Sequence, residues 1–484
     1  MPEGSIKKKV ASGIIWTLFE RIGNQGIQFI IQIVLARLLM PSDYGAVAMI
    51  TVFITLATVI VQSGFGQALV QKAEIDELDS SSVFYLNLAL AAVLYLILFF
   101  CAPVISRFYN MEILTKVLRV QAVILFFGAF NAVQTAMVKR AMQFKKFFYI
   151  TLSSSFIQGV VGIVLAYMGF GVWSLVYATL ANSLMNTIVL WTSFGWRPHL
   201  CFSFARLKTM FGFGSKLLVS NLIDSIYGNI YTLVIGKLYS STDLGYYNRG
   251  HGYPSMVANN INGSLQSVLF PAFSTMQDNR QRLKSMMRRS IMTSTFVIFP
   301  AMMGLAVIAE PMIRLMLTEK WMSCVPFLQL TCISCAFSSL RVANIQAITA
   351  IGRSDVILKL EIIKKTMYVI LLIISIPFGI YWMMGFRVMG AVLEFVIAGV
   401  PNNRLLQYSV LEQVKDVAPS MLLTLVMGAA AYSITFLHLG DWPTLLLQVF
   451  TGVVAYVAGA QLCRMECFRY IKSSLKEMFQ KKKA

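Results

Sequence analysis

Fourteen apolar stretches, most of twenty residues or more, recur along the whole chain, at about 14–38, 44–70, 83–105, 117–138, 148–168, 172–194, 212–238, 244–270, 290–317, 326–350, 357–380, 387–411, 417–437 and 443–463. A helix of about 20 residues matches the ~30 Å hydrocarbon core of a bilayer. Inside lipid the backbone must satisfy its own hydrogen bonds, so runs of this length imply spanning helices. The expected fold is all-α and polytopic, with about fourteen transmembrane helices. At 57% hydrophobic and 13% charged over 484 residues the chain is far too apolar for a soluble globular protein. No segment between the stretches is long enough to form a soluble domain.

The net charge of +20 raises the possibility of a nucleic-acid partner, but its distribution follows the membrane instead. With the N-terminus in the cytoplasm, 29 of the 41 Lys and Arg fall on cytoplasmic segments and eight on the opposite side, namely Arg37, Arg107, Lys116, Arg119, Lys237, Arg314, Lys320 and Arg387. That is the positive-inside bias, and it puts both termini in the cytoplasm. Arg21, Arg249, Arg341 and Arg404 are left at or near membrane depth. The start, Lys7 to Lys9 and then an apolar run, is like a signal peptide. The run is too long and too polar in its middle for that, so it is expected to stay as the first span.

Seven cysteines make no disulfide framework. Cys332 and Cys335 have CxxC spacing, but they sit in an apolar helix with no His or second pair nearby, so they are expected to pack rather than bind metal. No metal or cofactor is expected.

The first stretch is polar on one side. At 100° per residue, Thr17, Glu20, Arg21, Asn24, Gln25, Gln28 and Gln32 fall within an arc of about 140°, while Trp16, Phe19, Phe29, Ile30 and Ile33 point elsewhere. Ionisable groups in lipid cost several kcal/mol unless they meet a partner or a wet cavity, so this stripe is expected to wall a hydrophilic chamber. The competing reading is interhelical glue, since Asn and Gln bond across membrane helices.

The chain repeats itself at an offset of 200 residues. Ala36-Arg37-Leu38 with Asp43 and Gly45 aligns with Gly236-Lys237-Leu238 with Asp243 and Gly245. The polar stripe recurs as Ser220, Asn221, Asp224, Tyr227, Gly228, Tyr231 and Thr232. Span two carries Thr51, Thr55, Thr58 and Gln62, and span eight Arg249, Asn260, Ser264 and Ser267, with a possible kink at Pro254. Two lobes of six spans follow, in parallel orientation because an even number of crossings precedes the repeat. The expected divisions are an N-lobe over 1–195, an interfacial elbow helix over 196–211, a C-lobe over 212–411, accessory spans thirteen and fourteen over 412–465, and a basic amphipathic tail over 466–484. In the tail Ile471, Leu475, Met478 and Phe479 oppose Lys472, Lys476 and Lys481 to Lys483, which suits an anionic membrane surface.

Two guanidiniums in a wet, low-dielectric site suit an anion, because Arg stays charged and matches phosphate oxygens in pairs. Arg21 and Arg249 are the candidates, with Asn24, Gln25, Gln28 and Asn260 as further cavity residues. Glu20 and Asp224 are candidates for coupling to a cation. The alternative is structural, with Arg21 bridging Asp224, or Arg249 bridging Glu20.

Several motifs in order, Val10-Ala11-Ser12-Gly13 with Trp16, Leu35-Ala36-Arg37-Leu38-Leu39 through Asp43-Tyr44-Gly45, Ser63-Gly64-Phe65-Gly66-Gln67-Ala68-Leu69-Val70-Gln71, Leu269-Phe270-Pro271-Ala272-Phe273 and Glu319-Lys320-Trp321, resemble bacterial polysaccharide-biosynthesis exporters. These are Wzx-type lipid-linked oligosaccharide flippases of the multidrug/oligosaccharidyl-lipid/polysaccharide superfamily, of the colanic-acid-exporter branch. The resemblance implies a two-lobed fold in the bacterial cytoplasmic membrane, a central cationic cavity and alternating access. It also implies an undecaprenyl-pyrophosphate-linked glycan as cargo, surrounding lipids as partners, and a polysaccharide polymerase as a further partner. Only Arg21 and Arg249 carry over from the family's cavity arginines. Spans thirteen and fourteen resemble the accessory pair of fourteen-helix lipid II flippases.

Two other functions compete. A cation-coupled drug exporter of the same superfamily calls for an acidic, aromatic chamber, whereas the inward charges here are mixed and include two arginines. A polysaccharide polymerase or ligase calls for a large outer loop or a catalytic cluster. The outer loops here are a handful of residues each, and His199, His251 and His438 are scattered, so no enzyme is expected.

Overall fold

The computed structural model describes residues 3–62, 65–72, 74–470, 472 and 473, and every regular element among them is helical. The first helices are α1 (Glu3–Leu38), α2 (Pro41–Gln62), the short α3 (Phe65–Gln71), α4 (Glu77–Tyr109), α5 (Ile113–Gln121), α6 (Ile124–Arg140), α7 (Phe144–Tyr167), α8 (Val172–Ser193) and α9 (Phe204–Leu238). They are followed by α10 (Ser241–Ser274), α11 (Arg280–Val307), α12 (Ala309–Leu317), α13 (Val325–Ala336), α14 (Ser338–Ala350), α15 (Ser354–Ser375), α16 (Ile380–Leu406), α17 (Val410–Tyr432) and α18 (Asp441–Leu462).

Among the described residues eleven helical segments are long and apolar enough to cross a membrane. α1, α10 and α15 fall short through composition, not length: at 36, 34 and 22 residues they exceed what a bilayer core needs. With these three, the fourteen crossings read from the sequence are all present as helices. α10 stays helical through Pro254 and Pro271.

Packing divides the chain into two compact units, 1–245 and 246–484. In the first, α7 lies between α1 and α8, and α9 packs on α2, α3 and α4. The 200-residue repeat pairs α9 with α1, yet α9 packs within the first unit. The elbow at 196–211 is also split. Residues 194–203 are non-helical, and 204–211 are the opening turns of α9, which runs on unbroken to Leu238. No proline interrupts that stretch, and Ser203 caps it by accepting the Arg206 N–H at 3.5 Å. The non-helical part is pinned to the start of α4, where the His199 and Ser203 N–H groups donate to the Ser81 and Ser82 hydroxyls at 3.0 and 2.9 Å.

The repeated motif is a pair of matching corners. At the α1–α2 turn the Asp43 carboxylate accepts the Met40 N–H at 3.0 Å, and at the α9–α10 turn Asp243 accepts the Ser240 N–H at 3.2 Å. The corners then pack against each other. A Cβ on Gly45 would lie 1.7 Å from the Ser241 carbonyl oxygen, and one on Gly245 would lie 2.1 Å from that of Pro41. Backbone sits where a side chain would be, so each glycine is required by the other corner.

In the second unit α11 packs on α17, and α13 and α14 pack on α16. A fully buried amide network joins three helices. Asn344 exchanges hydrogen bonds with Gln413 at 2.9 and 3.1 Å, and Asn402 donates to the Asn344 side-chain oxygen at 2.7 Å. α18 packs on α17, and the Tyr456 hydroxyl donates to the Phe296 carbonyl at 2.8 Å. Between α16 and α17, burial and the accepting Asp416, 2.8 Å away, push the Tyr408 phenol above its ordinary pKa. Of the amphipathic tail, Lys472 is helical. Ile471, Leu475, Lys476, Met478, Phe479 and Lys481 to Lys483 lie outside the described residues.

Candidate substrate sites

The stripe on α1 divides into two functions. Asn24 accepts from the Ser155 hydroxyl at 2.6 Å, while Gln28 donates to Gln158 at 2.7 Å and to Ser155 at 3.3 Å. Asn182 of α8 closes the set by donating to Gln158 at 3.1 Å. This part of the stripe is interhelical glue, because α7 and α8 present hydroxyl and amide groups where α1 needs them. Of the residues expected on the cavity wall, Asn24 and Gln28 bond to α7 within the first unit. Arg21 and Gln32, at the edge of the same stripe, are exposed, and Glu20 and Gln25 are half-buried. On α9, Asp224 is exposed and Asn221 half-buried.

In the second unit Arg249 is half-buried, with its guanidinium 5.7 Å from the Trp321 ring centre, within cation–π range. Around it on α10, Tyr247, His251 and Ser255 form a row at four-residue spacing, and Arg387 reaches into it from α16. Its guanidinium donates to the Tyr247 hydroxyl and to His251 Nε2, both at 2.7 Å. That bond requires a neutral imidazole with Nε2 as the acceptor. Asn260 is exposed on α10 and lines, with Arg282 and Arg289, a cavity of about 1090 Å³.

Arg387 is one correction to the sequence reading, which placed it in an outer segment. It lies two turns inside α16, held by a phenol and an imidazole. Lys364 is another, since it was counted with the cytoplasmic charges. It lies well within α15, 2.5 Å from Glu361 and 3.8 Å from Glu394. Arg341 meets the same Glu394 carboxylate at 3.2 Å, and the Tyr368 hydroxyl donates to it at 3.1 Å. A carboxylate held by two cations and a phenol is a satisfied ionic cluster. The signals for both clusters were in the sequence, in the i, i+4, i+8 polar row on α10 and in single charges flanked by apolar turns. Neither signal names its partner. Among the described residues no three His, Cys, Asp or Glu side chains converge as metal ligands would.

The sequence model of a family described as "Polysaccharide biosynthesis protein" matches residues 34–326. The chain belongs to this family. Over 464 residues it is 24% identical to the lipopolysaccharide biosynthesis protein WzxC of Escherichia coli (strain K12), covering 95% of this chain and 89% of that one. It is 26% identical over 327 residues to the succinoglycan biosynthesis transport protein ExoT of Rhizobium meliloti (strain 1021), covering 68% and 66%. Among solved structures, the lipid II flippase MurJ in an inward closed conformation superposes with a TM-score of 0.74 at 16% identity, over 93% of this chain and 98% of that one. An inward-facing multidrug-resistance MATE family transporter superposes with a TM-score of 0.62 at 16% identity, over 80% and 96%. These two likenesses define the fold.

Proposed function

We infer that this family member is a flippase that carries polyprenyl-diphosphate-linked oligosaccharide from the inner to the outer leaflet of a bacterial cytoplasmic membrane. The carrying observation is the match along nearly the whole chain to a lipopolysaccharide biosynthesis protein, alongside a second relative named for succinoglycan transport. The excess of basic residues on one set of the segments between spans supports a reading with both termini in the cytoplasm. Arg21 and Arg249 bind the diphosphate, and the polyprenyl chain stays in lipid while the protein opens first to one face and then to the other. Outward movement of an anion down an inside-negative potential gains about 2.3 kcal/mol per charge per 100 mV. A polysaccharide polymerase receives the product outside.

The test is reconstitution with labelled lipid-linked oligosaccharide. Each charge-assisted bond to the diphosphate contributes about 1.5–3 kcal/mol, so Arg21→Ala with Arg249→Ala slows translocation by about tenfold or more. A double variant as fast as the parent removes both arginines from the mechanism.

A further inference from the structure

The first unit holds a cavity of about 800 Å³ whose lining includes Thr58 and Gln62 of α2, Asn131, Thr135 and Lys139 of α6, and Asn221 of α9. Pockets for organic ligands run from about 300 to 1,000 Å³, so this one accommodates an oligosaccharide rather than a single ion. Its polar groups stand in ladders. Asn131, Thr135 and Lys139 are four apart down one side of α6, and Thr58 and Gln62 are four apart on α2.

The walls are built to stay open. α8 holds Asn131 from behind, where its amide nitrogen donates to the Thr187 hydroxyl at 2.9 Å. The Thr58 hydroxyl donates to the Ile54 carbonyl at 2.7 Å, which turns its oxygen lone pairs outward as acceptors. Gln62 lies across α6 at Gly128, where a Cβ would come within 2.7 Å of the Gln62 amide nitrogen. Any larger residue at 128 drives that amide out of place.

We propose that this cavity is a glycan subsite, in which the amides and hydroxyls bond the sugar hydroxyls nearest the diphosphate and Lys139, at the end of α6, meets phosphate. The chemistry is matched: a neutral polyol needs many donors and acceptors and no fixed countercharge, and among the described residues of the lining Lys139 is the one charged side chain. The proposal rests on the flippase reading given above, and it adds a place where cargo is distinguished by its sugars rather than its phosphates.

The probes are the lipid-linked repeat unit extracted from producing cells and the same lipid trimmed of all its sugars to the bare polyprenyl diphosphate. They are assayed in vesicles with the parent protein, Asn131→Leu and Thr135→Val. The variants are expected to slow the full repeat unit by about tenfold while moving the trimmed lipid within about twofold of the parent. Equal rates for both cargos in all proteins, or equal slowing of both cargos, overturn the subsite. If the parent moves neither cargo, the flippase reading fails and the subsite falls with it. A second measurement is independent of transport. Thr135→Cys in detergent is labelled by a water-soluble maleimide, and the free repeat-unit oligosaccharide slows that labelling. Labelling that the oligosaccharide leaves unchanged also overturns the subsite.

Discussion

The polar seam of α1, α7 and α8 in the first unit is neutral, whereas that of α14, α15 and α16 in the second carries charge; the buried Asp79–Lys72 pair of the first unit lies apart from that seam, at the start of α4. In the first, Asn24, Gln28, Ser155, Gln158 and Asn182 bond one another across α1, α7 and α8. In the second, Glu394 is held by Arg341, Lys364 and Tyr368, and Arg387 binds Tyr247 and His251. Both devices hold helices together where the hydrophobic effect cannot, because lipid is as apolar as the side chains. They fail differently. A lost amide partner leaves one unmet hydrogen bond, while loss of the Glu394 carboxylate leaves the Arg341 guanidinium without its counter-ion. The α14–α15–α16 seam is therefore the more vulnerable of the two to a single substitution.

The largest expected effect tests the ionic side of that contrast. Glu394→Leu leaves Arg341 without its carboxylate and Lys364 with Glu361 alone, in a region where Glu394 and Lys364 are only 16% exposed. It should cost about 3–5 kcal/mol, read as an early melting transition of the detergent-solubilised protein. Adding Arg341→Met to that variant should recover most of the loss. A double variant no more stable than the single one breaks the comparison.

A smaller effect separates charge from location. Asn344→Leu, in the buried amide network of the same second unit, strands Gln413 and Asn402 and should cost about 1–3 kcal/mol by the same melt. A loss equal to that of Glu394→Leu would show that burial in the second unit, not charge, sets the scale.

The smallest effect is expected in the first unit. Gln28→Leu removes two interhelical bonds worth about 0.6 kcal/mol each on average in membranes, and should shift the melt little while leaving translocation near the parent rate. A collapse of transport with an unchanged melt would assign Gln28 to the substrate site rather than to helix packing.

Much of this architecture is legible in the sequence because lipid leaves few choices. Apolar runs of bilayer length must become helices, so their number and order follow directly, even for α1, α10 and α15, whose polarity hides them from a hydropathy threshold. The corners around Asp43-Gly45 and Asp243-Gly245 were visible as a repeat because capping and close approach restrict residue choice locally. The candidate site was less legible. Helical periodicity placed Arg21, Asn24 and Gln28 on one face, and that face is real, but it does not say what the face meets.

Only tertiary structure decided which polar groups satisfy one another. Gln28 and Gln158 are 130 positions apart, and Arg387 and His251 are 136 apart, so no local rule links them. Backbone hydrogen bonding is local and could be inferred residue by residue, whereas side-chain pairing depends on which helices become neighbours. That choice is also what packs α9 with the first unit while its sequence repeats the start of the chain.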